Sequence, residues 1–449
     1  MIPKIMHFIG WPIDFLIFKI FTKFQVIGKE KLKDIKTAPI IASNHESYFD
    51  PYIIGASIPW FSKLHPVHYL AQDKKFEKIR FKIIFWLFGA FPGKIGEGIY
   101  MALKMPTSLL RDNKTVGIFL EGCYHNEPEK SKALSVISLL SIKEKRPIIP
   151  IFIFGIYDGG ISWRKVLNRQ REIKVIFGEP IYPNNTNDES KLIYLIFKAF
   201  LQTKLTLIKS FHEEEKRFWS HYAKFYHYLE RSDPYKDLLK DFNNNLSGII
   251  KGDWVDLGSG SGAIVDLLVK KASGAKITAT DIEPKMLNYL SDRFKENKNI
   301  KIKQLDLAMS FDYPDNHFDG VTANLVLPYL IHHEGEIGLK GFVKLLKEVY
   351  RVLKPGGQFI WSTPKKKVNF FKVFLASWKN ILDLKNLNHI YYGPAIFKQA
   401  LQIQNKGKKG IYHFLDIKDL EKILIDIGFK DVKFTRSMAG QVDIVSCRK

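Results

Sequence analysis

A glycine-rich turn follows a short apolar run in the second half of this chain. The run WVDL comes just before Gly258, Gly260 and Gly262, and AIVDLLVKKA follows with helical character. Glycine lets the backbone turn tightly and approach a ligand that a side chain would block. A strand, a glycine turn and a helix in this order predict the first unit of a Rossmann-like α/β sheet.

Acidic and amide residues end the neighbouring predicted strands. Asp281 ends the run ITATD, about 20 residues after the glycines, where a carboxylate can accept hydrogen bonds from ribose hydroxyls. Asp256 precedes the first glycine, and a carboxylate there favours a cationic, amino-acid-bearing ligand over a pyrophosphate. Asp306 ends a third predicted strand, where it could take an adenine amino group, and Asn324 ends a fourth. The pattern therefore favours a nucleoside with positive charge over a dinucleotide.

A helix, a Pro-Gly-Gly turn and a fifth strand complete the pattern in LKEVYRVLKPGGQFIWST. Residues 219–449 thereby resemble the class I S-adenosylmethionine-dependent methyltransferases, especially the branch acting on quinones, phospholipids and small molecules. The resemblance implies S-adenosyl-L-methionine as the methyl donor, with Asp281 at its ribose and Asp306 and Leu307 beside its adenine. It implies these donor-binding residues: Asp256, Gly258, Gly260, Gly262, Asp281, Ile282, Asp306, Leu307 and Asn324. The alternative is a Rossmann-like domain that lacks the donor.

Two further segments of this half allow more than one interpretation. FWSHYAKFYHYLERSDPYKDLL resembles the family's lid helices, which implies that Trp219, Tyr222 and Tyr226 cover the donor. Aromatic residues at this spacing equally well form an ordinary core. The stretch 364–413 places apolar residues at helical spacing between lysines. It predicts an acceptor-binding cap, a helix resting on a bilayer, or a helix packed by one face.

Residues 36–182 predict a second α/β domain, because β-branched runs alternate there with helical stretches. His45 and Asp50 follow the first of these runs in IIASNHESYFDPYII. A histidine can take the proton of a hydroxyl that attacks a thioester, and an aspartate can fix its tautomer. The His-x4-Asp spacing alone is a weak signal, but GIFLEGCYH, RPIIPIFIFG and VIFGEPIYP follow it in order.

Together these motifs resemble the glycerolipid acyltransferases, over about residues 1–210. The resemblance implies an acyl-CoA or acyl-carrier protein donor, a catalytic pair, and an acceptor site with its closing strand, formed by His45, Asp50, Lys94, Glu121, Gly122 and Pro150. Lys94 and the run Cys123-Tyr124-His125 stand where the family usually carries arginines. Lysine binds phosphate as a point charge and not through a bidentate fork. We therefore expect a lysolipid acceptor without a terminal phosphate.

The N-terminal run MIPKIMHFIGWPIDFLIFKIFTKF predicts a helix lying in a membrane interface. Pro12, Asp14 and Lys19 interrupt its apolar residues, and no small-residue cleavage site follows. The alternative is a first helix packed on its own domain. The formal net charge of +23 favours an anionic membrane, nucleic acid or CoA-type substrates. Nucleic acid is disfavoured, because the chain has no zinc-finger or RNA-recognition signature.

These patterns predict an α/β chain of two domains: an acyltransferase domain at 1–205, a helical linker or lid at 206–245, and a methyltransferase domain at 246–449. The two cysteines lie far apart, which favours a reducing compartment and no cysteine metal site. We predict a bifunctional lipid-modifying enzyme on the cytoplasmic side of a membrane, peripheral or monotopic. Its partners would be an anionic membrane surface, a lysolipid, and an acyl-CoA or acyl-carrier protein.

Two alternatives remain open from the sequence. The methyl acceptor could be a quinone or another isoprenoid ring. The N-terminal half could also be a catalytically dead, lipid-binding module that docks a methyltransferase on the membrane.

Overall fold

The computed structural model divides the chain into two compact units, Met1–Leu207 and Ile208–Lys449. The structure describes residues 2–45, 47, 49–71, 89–92, 99–120, 132–155, 172–183, 188–222, 230, 232–246, 248–377 and 387–449.

The described residues of the first unit form seven strands, with helices between them in the sequence. Its strands are β1 Lys23–Ile27, β2 Ile40–Ser43, β3 Val67–Ala71, β4 Phe91–Pro92, β5 Thr115–Phe119, β6 Ile148–Phe154 and β7 Glu172–Phe177. Its helices are α1 Ile2–Phe21, α2 Asp50–Ser57, α3 Ile99–Arg111 and α4 Lys132–Glu144, with a 3-10 helix at Lys29–Leu32. The boundary with the second unit falls inside α5, Glu189–Tyr222.

The strands of the first unit form one sheet in the order β1-β7-β6-β2-β5-β3-β4. β2 lies between β6 and β5 and pairs with both in parallel, so the carboxyl ends of these strands meet at one edge. β7 pairs antiparallel with β6. All seven residues of β6 are buried, as expected for a strand covered on both faces.

Helix α1 has one buried face and one exposed apolar face. Phe18 is fully buried in the core cluster of this unit. An exposed apolar stripe runs along the opposite side, formed by Ile5, Phe8, Ile9, Ile13, Leu16 and Ile20. Among the described residues, no helix is long and apolar enough to cross a membrane.

The second unit contains the second seven-stranded sheet. Its main strands are β8 Asp253–Leu257, β9 Lys276–Asp281, β10 Ile300–Gln304, β11 Phe318–Asn324, β14 Leu353–Pro364, β15 Lys430–Ser437 and β16 Val442–Arg448, and β12 His332–His333 pairs with β13 Glu336–Ile337. Its helices are α6 Asp233–Asn245, α7 Ala263–Lys271, α8 Pro284–Phe294, α9 Gly338–Val352, α10 Phe370–Ala376, α11 Leu387–Lys408 and α12 Ile417–Ile427, with a 3-10 helix at Leu327–Tyr329.

This second sheet has the order β10-β9-β8-β11-β14-β16-β15. The first five of these strands are parallel, and β16 runs antiparallel between β14 and β15. The strand order reverses at β8, which is where such sheets bind their ligands. Two α/β domains, the second Rossmann-like, confirm the predicted fold class.

Most predicted strands of both halves are present, with one correction and seven omissions among the described residues. β10 ends at Gln304, so Asp306 lies two residues beyond the strand end where it was predicted. The omitted strands are the edge strand β1 and the short strands β3 and β4 in the first half, and the short pair β12 and β13 and the two strands β15 and β16 in the second half. β1 is a five-residue strand with alternating half-buried and exposed residues, and its sequence reads as a continuation of the apolar segment before it.

Candidate active sites

His45 and Asp50 meet at the carboxyl edge of the first sheet. The Nδ1 atom of His45 lies 2.8 Å from Oδ2 of Asp50. Asp50 is fully buried in the first turn of α2, and the same Oδ2 accepts a hydrogen bond of 2.8 Å from the backbone N–H of Ser47. A carboxylate at a helix N-terminus is favoured by the helix dipole. The arrangement fixes Nδ1 as the donor and leaves the basic lone pair on Nε2.

Asn44 anchors the loop that carries this pair. Its amide Nδ2 donates to the carbonyl of Ile153 at 2.9 Å, and its Oδ1 accepts from the N–H of Ile153 at 2.7 Å. The side chain thereby continues the pairing of β2 with β6 by one residue, and it is 2% exposed. His45 leaves the sheet immediately after this point, so its position follows from the sheet itself.

Phe119 supports the imidazole from the neighbouring strand. Its ring stacks on His45 with centroids 4.3 Å apart, and Tyr69 stacks on Phe119 with centroids 5.4 Å apart. The side chain of His45 is 29% exposed, while the rings beyond it become progressively buried. Sequence reasoning placed Phe119 in a strand but gave it no role, because nothing local indicates which ring faces His45.

Pro150 lies in β6, next to Ala42 of β2. Proline has no N–H, and its carbonyl accepts a hydrogen bond of 2.8 Å from the N–H of Gly178. Pairing then resumes between Ile148 and Ile181, so Pro150 stands at a bulge, where a sheet tolerates proline.

The predicted acceptor residues Lys94, Glu121 and Gly122 lie outside the described residues, as does Tyr226 of the predicted lid.

The glycine turn of the second unit has the backbone that glycine alone adopts readily. Gly258 has φ +66°, and a Cβ atom there would lie 2.6 Å from Val326 Cγ2. Gly262 has φ +89° as the residue before α7, and its Cβ would lie 2.7 Å from Phe294. The N–H of Gly260 donates to Asp281 Oδ2 at 2.9 Å, which ties the turn to the end of β9.

Three carboxylates surround this turn: Asp256 is buried, and Asp281 and Glu230 are half-buried. Burial raises the pKa of Asp256 to about 7, and its Oδ1 accepts a hydrogen bond of 2.7 Å from Thr322. Burial also raises the pKa of Asp281, whose second oxygen accepts from the N–H of Glu283 at 2.9 Å. Glu230 approaches from the lid region, accepts a hydrogen bond from Ser261, and has its pKa raised to about 7 by burial. Desolvation penalises the charged form of each group, so a bound cation would be favoured here and a pyrophosphate disfavoured.

The remaining predicted donor residues line the same edge in different ways. Asn324 is 8% exposed, donates to the Tyr235 hydroxyl at 3.0 Å and accepts from Ser362 at 2.6 Å, so it links α6 to the sheet. Asp306 is half-buried and accepts from the N–H of Ala308 at 2.8 Å. Leu307 is buried beside it with 8% exposure, and Ile282, directly after Asp281, has an apolar side chain that is 45% exposed.

These residues fit an S-adenosylmethionine site. The turn has no room for a Cβ atom at Gly258 or Gly262, so its backbone can approach a ligand closely. Asp281 keeps a lone pair on each carboxylate oxygen for the ribose hydroxyls. Asp256 and Glu230 offer negative charge to an ammonium or a sulfonium. Neither Glu230 nor Tyr235 was predicted, since both come from the helical region before the sheet and no sequence motif marks them.

Comparison with known proteins finds two domain families along the chain. The Acyltransferase family matches residues 23–154, and the Methyltransferase domain family matches residues 255–361. The first match contains His45 and Asp50, and the second contains every predicted donor residue from Asp256 to Asn324.

Individual relatives match the second half. The demethylmenaquinone methyltransferase of Symbiobacterium thermophilum is 29% identical over 199 residues, 43% of this chain and 74% of that protein. The ubiquinone/menaquinone biosynthesis C-methyltransferase UbiE of Ectopseudomonas mendocina is 34% identical over 213 residues, 46% of this chain and 76% of that protein. A crystal structure of a SAM dependent methyltransferase from Aquifex aeolicus is 20% identical with a TM-score of 0.32, covering 49% of this chain and 91% of that chain.

Proposed function

This chain belongs to the S-adenosylmethionine-dependent methyltransferase family through its C-terminal half and carries an acyltransferase domain in its N-terminal half, and from that premise we propose that it is a bifunctional lipid-modifying enzyme. One unit would transfer an acyl group from acyl-CoA or acyl-carrier protein to a lysolipid hydroxyl. The other would methylate a lipid headgroup. The observation that carries the proposal is the His45–Asp50 pair, because it supplies the base that a lysolipid hydroxyl needs.

The acyl transfer needs no nucleophile from the protein. The acceptor hydroxyl attacks the thioester carbonyl while Nε2 of His45 takes its proton. The new ester C–O bond forms, the C–S bond breaks, and the imidazolium returns the proton to the leaving thiolate. Asp50 stabilises the imidazolium through the 2.8 Å contact with Nδ1.

The methyl transfer needs chiefly positioning, and S-adenosylmethionine would supply the methyl group on its sulfonium. Asp256 and Glu230 would meet the positive charge of the donor, and Asp281 its ribose. The turn at Gly258 and Gly262 would let the backbone approach the methionine end. No strong base is required of the protein when the acceptor carries its own lone pair.

A quinone ring is the second candidate for the methyl acceptor. It is favoured by the relatives, since the proteins from Symbiobacterium thermophilum and Ectopseudomonas mendocina are named for menaquinone or ubiquinone methylation. A quinone and a phospholipid both reside in a membrane, so either acceptor agrees with a chain that works at a membrane surface.

Lipid mass spectrometry of expressing cells tests the proposal. Cells expressing the wild-type chain, His45→Ala or Asp281→Ala are extracted and compared. We expect a new acylated lipid that His45→Ala abolishes and a methylated lipid that Asp281→Ala abolishes. Methylated aminolipids would favour the headgroup, and methylated quinones the ring. A lipid profile that neither variant changes would refute the bifunctional assignment, and loss of the methylated lipid alone would favour a catalytically dead N-terminal unit.

We further propose that α1 docks the chain on the cytoplasmic face of an anionic membrane. Its exposed stripe includes Ile9 at 58% and Ile13 at 54% exposure. Lys4, Lys19 and Lys23 are exposed around the stripe, where they could meet lipid phosphates. An apolar face bordered by lysines is the arrangement of an interfacial helix.

The double substitution Ile9→Asp/Ile13→Asp should weaken binding to phosphatidylglycerol vesicles by about 30-fold, because about 2 kcal/mol of apolar burial is lost. Vesicle flotation measures the partition coefficient. Ile249→Asp/Ile425→Asp is the matched control, since these isoleucines are 72% and 57% exposed in the second unit. Equal binding by the two double variants would contradict the assignment of α1.

A further inference from the structure

Glu215, in the last third of α5, gathers three hydrogen-bond donors on one carboxylate. The Tyr412 hydroxyl donates to Oε2 at 2.6 Å, and Trp219 Nε1 donates to the same oxygen at 3.0 Å. Lys406 forms an ion pair with Oε1, and its ammonium lies 4.4 Å from the ring centre of Phe218. The side chains of Glu215 and Lys406 are only 15% and 20% exposed. Removing the Glu215 carboxylate is therefore costly, because all three donors lose their common acceptor.

The three donors come from different parts of the second unit. Trp219 belongs to α5, Lys406 to the end of α11, and Tyr412 to the segment Ile411–Phe414 that follows, which we call the strap. Glu215 therefore ties the end of α5 to the end of α11 and to the strap.

The strap and α5 both pack on the 3-10 helix Leu327–Tyr329. The ring of Tyr329 lies 5.1 Å from Tyr412 and 5.3 Å from Trp219. The N–H of His413 donates to the carbonyl of Pro328 at 2.8 Å, and its Nε2 lies 2.9 Å from the carbonyl of Leu330. The position of Tyr329 is thus set from two sides by segments that Glu215 holds together.

This 3-10 helix begins three residues after Asn324, at the carboxyl end of β11. On the other side of the site, Ser220 of α5 donates to Glu283 at 2.8 Å, and the N–H of Glu283 donates to Asp281. The end of α5 therefore contacts both flanks of the edge where the donor residues lie. A sheet of this type binds its ligands at that edge.

We propose that Glu215 is a positioning residue for methyl transfer, which holds Trp219 and Tyr329 as one wall of the methyl-acceptor pocket. This inference rests on the proposed methyltransferase activity and adds a residue to it. In the described contacts Glu215 touches Trp219 but none of the donor-binding residues predicted between Asp256 and Asn324, so it acts through the aromatic wall. Methyl transfer depends on alignment, and a shift of about 1 Å in a bound group can cost on the order of 100-fold in rate.

The test compares Glu215→Gln and Glu215→Ala with Glu213→Gln in the full chain. Glu213 is an exposed glutamate of the same helix, so it matches the change in charge. Demethylmenaquinone and phosphatidylethanolamine vesicles are the probe acceptors, and the better one is used for all variants. Glutamine keeps an oxygen for Tyr412 and Trp219 but loses the charge that faces Lys406.

We expect Glu215→Ala to lower kcat/KM for the methyl acceptor by about 100-fold and Glu215→Gln by about tenfold. The Kd of S-adenosylmethionine, measured by calorimetry, should change less than about threefold in both, and acyl transfer by the same samples should stay at the wild-type rate. A wall without a positioning role would leave kcat/KM for the acceptor unchanged, and that result overturns the inference alone. Parallel loss of acyl transfer and donor binding would also overturn it, because it would indicate unfolding. Absence of methyl transfer by the wild-type chain would refute the proposed function and this inference together.

Discussion

His45→Ala is expected to lower the rate of acyl transfer by about 10²- to 10⁴-fold, because the hydroxyl loses the base that takes its proton. The rate of lysolipid acylation is measured with an acyl-CoA donor and purified full-length protein. Methyl transfer should be unchanged, since the two sites belong to different compact units. His212→Ala removes an exposed histidine and is the matched control.

Asp50→Asn separates the role of the buried carboxylate from that of the imidazole. The asparagine oxygen can still accept from the N–H of Ser47 and from Nδ1 of His45, but the side chain has no negative charge to stabilise the imidazolium. The rate of acyl transfer should therefore fall in Asp50→Asn, but by less than in His45→Ala, because the base remains and only its protonated form loses a counter-charge. A wild-type rate of acylation in either variant would rule out the pair as the catalytic base, whereas the absence of acylation by the wild-type chain would favour a lipid-binding module without acyl transfer.

The affinity of the second unit for S-adenosylmethionine is expected to rise with pH up to about 7. Burial raises the pKa of Asp256 to about 7, so the carboxyl is protonated and neutral below that pH. A cationic ligand favours the ionised form, so binding below pH 7 must first remove this proton. The Kd should then fall by about tenfold per pH unit between pH 5 and pH 7 and level off above. Calorimetry across this range, in two buffers of different ionisation enthalpy, measures both the Kd and the proton released.

Asp256→Asn should flatten this dependence, and Asp292→Asn, which changes an exposed aspartate of α8, should preserve it. Asp281 and Glu230 face the same turn with pKa values raised by burial, so a residual slope in Asp256→Asn would belong to them. A Kd that is constant from pH 5 to pH 8 in the wild type would exclude an ionised Asp256 from donor binding.

In the unliganded protein, the raised pKa of Asp256 makes the free energy of unfolding change with pH in the opposite direction to the affinity for S-adenosylmethionine. The folded state holds the Asp256 proton more tightly than the unfolded chain does, because the ordinary pKa of aspartate is near 3.9. The free energy of unfolding of the second unit should therefore decrease between about pH 4 and pH 7, by roughly 1.4 kcal/mol per pH unit from this group. The site is thus less stable when empty at neutral pH, and a cation relieves that cost.

Local features of both sites could be predicted because their residues are close in sequence. His45 and Asp50 are separated by one loop that leads into a helix, so their meeting follows from the strand before them and Pro51 after them. The turn at Gly258, Gly260 and Gly262 is predictable for the same reason. A glycine pattern between an apolar strand and a helix has few other solutions.

Contacts between distant segments could not be predicted. Asn44 pairs with Ile153 across 109 residues, and Asn324 bonds to Tyr235 across 89. Their polar groups are typical of a loop and a strand end, and many partners would satisfy them equally well. Glu215 is a similar case, because its sequence context EEEK indicates an exposed helix surface.

The amino-acid sequence by itself determined two α/β domains, the order of their motifs, and the residue types at both sites, because strand periodicity and turn chemistry are local properties. Only the tertiary structure decided which side chains support those motifs. Phe119 lies against His45, Glu230 lies at the glycine turn, and Glu215 joins α5 to the strap. The physical reason is that packing and burial depend on which segments the sheets bring together, and burial in turn sets the charge state of Asp256.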